Sequence, residues 1–74
     1  MAHEQESQQR KAARIKMKDA QRLFEGRHPE QGVDAMKEVL EIDPQFIEPR
    51  QWLADYYDSR GQERLAVSQY EEML

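Results

Sequence analysis

The stretch "EVLEIDPQF", residues 38–46, decides how this chain is read. Val39, Leu40 and Ile42 close a run of apolar residues at helical spacing, and the run halts at Asp43-Pro44. Proline has no N–H with which to continue the helix behind it, and its ring pushes the preceding residue away from helical angles. Three residues past the proline, Ile47 opens another amphipathic segment. Asp43-Pro44 is therefore either an isolated turn or the joint between two copies of one unit.

The flanking sequence separates these readings. Upstream, from about Arg10, Ala13, Met17, Ala20 and Phe24 follow steps of three and four, with Ile15 and Leu23 widening the stripe. Gly26 is placed to end that helix as a left-handed cap, and Pro29 to open the next, where its missing N–H is not needed. Val33, Met36, Val39 and Leu40 form the apolar face of the second helix, extended by Ile42 to the joint. A third helix is expected from near Ile47, with Pro49 in its first turn, Trp52, Leu53, Tyr56 and Tyr57 on its apolar side, and Gly61 closing it. A fourth runs from about Gln62 to Leu74, with Leu65, Ala66, Tyr70, Met73 and Leu74 on one face. No stretch alternates with the period of a strand. Thr, Asn and Cys are absent, while Glu, Gln, Ala, Leu, Arg and Lys abound, which is a helix-forming vocabulary. The expected fold class is all-α.

Sliding the sequence against itself by 34 residues brings these helices into register. Ala20 falls on Ala54, Leu23 on Tyr57, Gly32 on Ala66, Met36 on Tyr70, Val39 on Met73 and Leu40 on Leu74. Small residues meet small ones and large apolar residues meet large apolar ones, as one helical hairpin used twice requires. The period and pattern resemble the tetratricopeptide repeat family, whose signature runs W-x2-L-G-x2-Y, then A-x3-F, then P. The second copy carries Leu53-Ala54, Tyr57, Gly61, Ala66 and Tyr70 at matching places, with Arg50 in the usual Trp position and Trp52 displaced. The first copy departs further: Lys16 and Asp19 stand where large apolar residues are usual, and Gly32 replaces the Ala. The resemblance covers residues 13–74 and implies an α-α superhelix of two antiparallel helix-turn-helix hairpins. On this reading residues 1–9 are a disordered polar segment, 10–46 the first repeat, and 47–74 a second repeat lacking its closing turn. Asp43-Pro44 is then the joint between repeats.

Because solenoid repeats bury their faces only against neighbours, a second repeat without a cap implies further repeats beyond this stretch or pairing with another copy. Leu65, Tyr70, Met73 and Leu74 would form the self-association face, giving a homodimer.

The charge is unevenly spread. Residues 1–22 hold six basic and three acidic groups, a net of +3, and the remainder five and twelve, a net of −7, together the −4 of the chain. A basic first helix could dock on an anionic surface, whereas the acidic body argues against a nucleic-acid module, although related pentatricopeptide proteins read RNA. No apolar run approaches the ~20 residues of a membrane span, and the opening residues lack the apolar core of a signal peptide. The expectation is a soluble chain of the cytoplasm or another reducing compartment, since no Cys is present to form disulfides.

Catalytic constellations are absent from the pattern. "HEQES" opens like a zinc-protease helix, but Ser7 stands where the second His is needed, and His3 and His28 lie far apart. Gly26, Gly32 and Gly61 are scattered and make no phosphate-cradling loop, and Ser7, Ser59 and Ser68 have no His at suggestive spacing. Glu71 and Glu72 are neighbours that point to different sides of a helix. Neither an enzyme nor a cofactor or metal site is expected.

What the resemblance implies instead is a scaffold for protein-protein interaction, with first helices lining a concave face that selects an extended peptide. Carried onto this chain, that face is Arg14, Met17, Gln21, Phe24 and Glu25 from the first repeat, and Glu48, Gln51, Asp55, Asp58 and Ser59 from the second. The Lys and Asn residues by which co-chaperone members hold a C-terminal carboxylate are replaced here by Met17, Gln21 and Trp52. With an acidic second repeat, complementarity favours a basic or neutral partner segment.

Overall fold

The computed structural model describes residues 7–74. Four helices follow one another: α1 (Gln8–Glu25), α2 (Pro29–Ile42), α3 (Ile47–Ser59) and α4 (Glu63–Met73), and no strand occurs among the described residues. The chain is all-α. α1 packs along α2, α3 along α4, and α2 against α3, so two helical hairpins share one core.

The first helix starts earlier than its polar sequence suggests. Ser7 is its N-cap, the hydroxyl accepting the Arg10 amide at 3.0 Å, and its carbonyl accepts from Lys11 N. Gln8 and Gln9, expected in a disordered segment, are therefore helical, and Gln9 Nε2 donates to the Ile42 carbonyl. The remainder of that segment, residues 1–6 with His3, Glu4 and Glu6, lies outside the described residues. α1 ends at Gly26, whose amide donates to Arg22 O, but φ is −89° and ψ −148°, so the expected left-handed cap is not what closes it.

The turn after α3 does use that device. Gly61 has φ +73°, its amide donates to Asp58 O at 3.1 Å, and Gln62 N donates to Tyr57 O at 2.8 Å. This pair of bonds around a left-handed residue is the Schellman arrangement, which satisfies the last carbonyls of the helix.

Asp43-Pro44 joins the hairpins. Asp43 ends α2 with its amide on Val39 O, and its carboxylate Oδ1 accepts the Gln45 amide at 3.2 Å. Its carbonyl accepts from Phe46 N, the N-cap residue of α3, and the Phe46 side chain is buried. Asp43 itself is only 6% exposed, and the second carboxylate oxygen accepts a hydrogen bond from Arg10 Nε. The Arg10 guanidinium also lies 4.4 Å from the centroid of the Phe46 ring. The first turn of α1 thus clamps the joint through charge, hydrogen bonding and a cation–π contact.

Ala13, Met17 and Ala20 of α1, Val33, Ala35, Met36 and Val39 of α2, Leu53, Ala54 and Tyr57 of α3, and Ala66 of α4 are buried. Ile15 does not join them. At 67% exposed it lies off the stripe that faces α2. Two polar residues reach across their own hairpins: Lys16 Nζ is 2.8 Å from Glu38 Oε1, and Arg50 Nη1 donates to Gln69 Oε1 at 3.4 Å, whereas Asp19 pairs with Arg22 on its own helix.

Gly32 marks the tightest crossing of the first hairpin. A Cβ there would lie 2.9 Å from Phe24 Cδ2 and 3.1 Å from the Phe24 backbone nitrogen. The missing side chain is what lets the Phe24 ring settle between α2 and α3.

Candidate functional site

Phe24 is half-buried at the end of α1, and its ring meets two aromatic residues of α3. The Phe24 and Trp52 centroids are 5.5 Å apart with planes tilted by 36°, and Phe24 and Tyr56 are 5.4 Å apart at 60°. Trp52 and Tyr56 are one turn apart on α3 and half-buried, as residues at the margin of a helix's apolar stripe are. The rings form a continuous wall at favourable aromatic separations.

Alongside this wall runs the polar edge of α3. Gln51, Asp55 and Ser59 are four residues apart and stand on one line of the helix. Together Phe24, Gln51, Trp52, Asp55, Tyr56 and Ser59 line an open groove of about 440 Å³. Asp55 is its one formally charged lining residue among the described residues. Among the described residues Asp55 has no ion pair and no side-chain hydrogen bond, whereas the Ser59 hydroxyl donates to Tyr56 O at 2.7 Å. A groove with an aromatic floor and one unpaired carboxylate can take a flat or cationic group.

Of the residues placed on the concave face from sequence, Phe24, Gln51, Asp55 and Ser59 come together here. Met17 does not: it is 5% exposed and packed in the core, because its step of four from Ala13 puts it on the stripe facing α2. Arg14 and Glu48 face each other at 4.0 Å, and Arg14 also lies 5.6 Å from the Phe46 ring centroid. Gln21 is half-buried, and Glu25 and Asp58 are exposed, all outside the lining of this groove. Trp52 and Tyr56 are the lining residues that helical periodicity assigns to the apolar side. Four bulky residues at 52, 53, 56 and 57 are more than two hairpins can cover, and that excess was the available signal.

The last helix, α4, packs along α3, and Ala66 is its buried residue. Leu65, Val67, Tyr70 and Leu74 are exposed and Met73 is half-buried. Val67 was not among the residues expected on this face. Leu65 additionally lines a second hollow of about 320 Å³ with Val33, Tyr57 and Arg60.

The basic residues of α1 are mostly engaged. Arg10 meets Asp43, Arg14 faces Glu48, Lys16 meets Glu38 and Arg22 Nη1 is 3.1 Å from Asp19 Oδ1. The hydrogen bond from Arg10 holds the Asp43 carboxyl below the usual carboxylate range, helped by the Gln45 amide and opposed by burial. The hydrogen bond to Glu38 raises Lys16, with the Glu38 charge adding to it. No described helix is long and apolar enough to cross a membrane, and no group of three metal-binding side chains gathers among the described residues.

Comparison with family models, with characterised proteins and with solved structures finds no match to this chain.

Proposed function

We propose that the chain is a protein-interaction module, two tetratricopeptide-like hairpins that dock an extended segment of a basic or neutral partner and perform no chemistry. The groove between Phe24 of α1 and the Gln51–Asp55–Ser59 edge of α3 carries this reading. It is lined from α1 and α3, the first helix of each hairpin, and four residues chosen from repeat register line it. Its size suits a few side chains of a peptide rather than a whole folded domain. The pairing of α1 cations with acids of the same chain leaves less charge for an anionic surface or nucleic acid.

The test is selection of binding peptides from a random library, followed by mapping of their binding on amide resonances. Selected peptides should shift residues 51–59 and the end of α1. Peptides that map only to α4, or a selection that enriches nothing, would refute the groove.

A second reading is self-assembly through α4, favoured by the exposure of Leu65, Val67, Tyr70 and Leu74. Exposed apolar side chains clustered on one element mark such contacts. Molar mass by light scattering over a concentration series separates the two, since a strict monomer at high concentration removes assembly.

A further inference from the structure

We infer that the occupant of this groove is an arginine side chain of the partner segment, stacked on Trp52 and Tyr56 and paired with Asp55. The inference rests on the groove reading above and adds the chemistry of the ligand.

The wall is the first reason. The Phe24 ring packs on Trp52 at 5.5 Å and on Tyr56 at 5.4 Å, so it closes the space between them and leaves a joined surface and not an open three-sided cage. A flat group laid on such a surface keeps more contact than a spherical one. Guanidinium is planar, weakly hydrated and stacks on aromatic faces, whereas ammonium is compact and holds its water.

The carboxylate is the second reason. Asp55 lines the groove beside Trp52 and Tyr56, and among the described residues it has no ion pair and no basic residue lines the groove with it. A guanidinium on the rings could turn its N–H fork toward Asp55 while Gln51 offers a carbonyl. Arg60, 5.5 Å from the Tyr56 ring centroid, lines the neighbouring hollow and is not part of this groove. The same pairing of guanidinium, aromatic ring and carboxylate already holds within the chain, where Arg10 lies over Phe46 and bonds Asp43.

Trp52 is the sole tryptophan of the chain and lines the groove, so its emission reports occupancy directly. The probes are four blocked pentapeptides, Gly-Ser-X-Ser-Gly, with X as arginine, lysine, citrulline or glutamate. Citrulline keeps the planar shape and loses the charge. The arginine peptide should perturb Trp52 emission saturably, with lysine several-fold weaker and citrulline about tenfold weaker, as a cation–π contact and an exposed ion pair together supply. Asp55→Asn, an exposed substitution that leaves the core intact, should remove the ion-pair share and bring arginine part of the way toward citrulline, the ring contact accounting for what remains. Equal binding of arginine and citrulline at Trp52 would overturn the arginine assignment and leave the groove standing. Tighter binding of the glutamate peptide would overturn the charge argument. If none of the four perturbs Trp52 emission or the amides of residues 51–59, the arginine assignment and the groove fall together.

Discussion

Replacing Gly32 with alanine installs the residue that the sequence carries 34 positions on as Ala66, yet the structure predicts a loss of stability. In an exposed helix, glycine to alanine would gain about 1 kcal/mol from backbone propensity. Here the added methyl would lie 2.9 Å and 3.0 Å from ring atoms of Phe24 and 3.1 Å from its backbone nitrogen. Turning the ring relieves the first two contacts but presses Phe24 toward Trp52 and Tyr56, and the third yields only if α1 and α2 separate. Overpacking of this kind costs roughly 1–3 kcal/mol, so the expected net loss is about 1 kcal/mol. For a domain of this size that lowers Tm by about 4–8 °C. Urea and thermal unfolding followed by helical circular dichroism measure it. The same substitution in a Phe24→Ala background should lose most of its penalty, because the ring contacts are gone, and the difference is the coupling between the positions. A Gly32→Ala protein more stable than the parent by the full propensity gain would show that the hairpin opens freely, and would refute the close-approach argument.

Other outcomes follow from the joint and the caps. Arg10→Ala leaves the buried Asp43 carboxylate with the Gln45 backbone N–H as its remaining donor among the described residues, and about 1–3 kcal/mol of stability should be lost, read from urea midpoints. Since Asp43 is held below its ordinary value near 3.8, its contribution is present above that pH and disappears as pH falls through the folded value. The acid limb of the stability curve should therefore flatten in Asp43→Asn. Lys16 is raised above 10.5, so its contribution is present below that value and disappears as pH rises through the folded one; Lys16→Met should lower stability slightly below that value and flatten the alkaline limb. Gly61→Ala forces a Cβ into the left-handed region at φ +73° and should cost about 1–2 kcal/mol, with amide exchange fastest at the α3–α4 turn. Leu65→Lys with Tyr70→Lys should leave helical content unchanged, both side chains being exposed, and should abolish any concentration-dependent rise in molar mass.

Helix identity and the joint were legible in the sequence because they rest on short-range physics. Apolar steps of three and four, Pro29 in a first turn and Asp43-Pro44 after an apolar run each constrain the backbone within a few residues, and the observed helices begin and end close to those marks. Helix α1 began earlier than expected because one serine hydroxyl can cap a helix whose first residues have no apolar pattern. The groove was half legible. The line of Gln51, Asp55 and Ser59 follows from spacing along one helix, but the share of the aromatic residues left open depends on how much surface the neighbouring helices supply.

By itself the sequence determined the helices and the turns between them, since periodicity and local backbone chemistry act within a few residues. Only the tertiary structure decided which member of each apolar stripe is buried. Met17 went inward and Ile15 outward because burial is set by the partner helix. It also brought Arg10 to Asp43 across 33 residues of chain, and it placed Phe24 of α1 against Trp52 and Tyr56 of α3. A side chain's partners across that distance depend on the packing angle and the close approach at Gly32, and no local pattern encodes either.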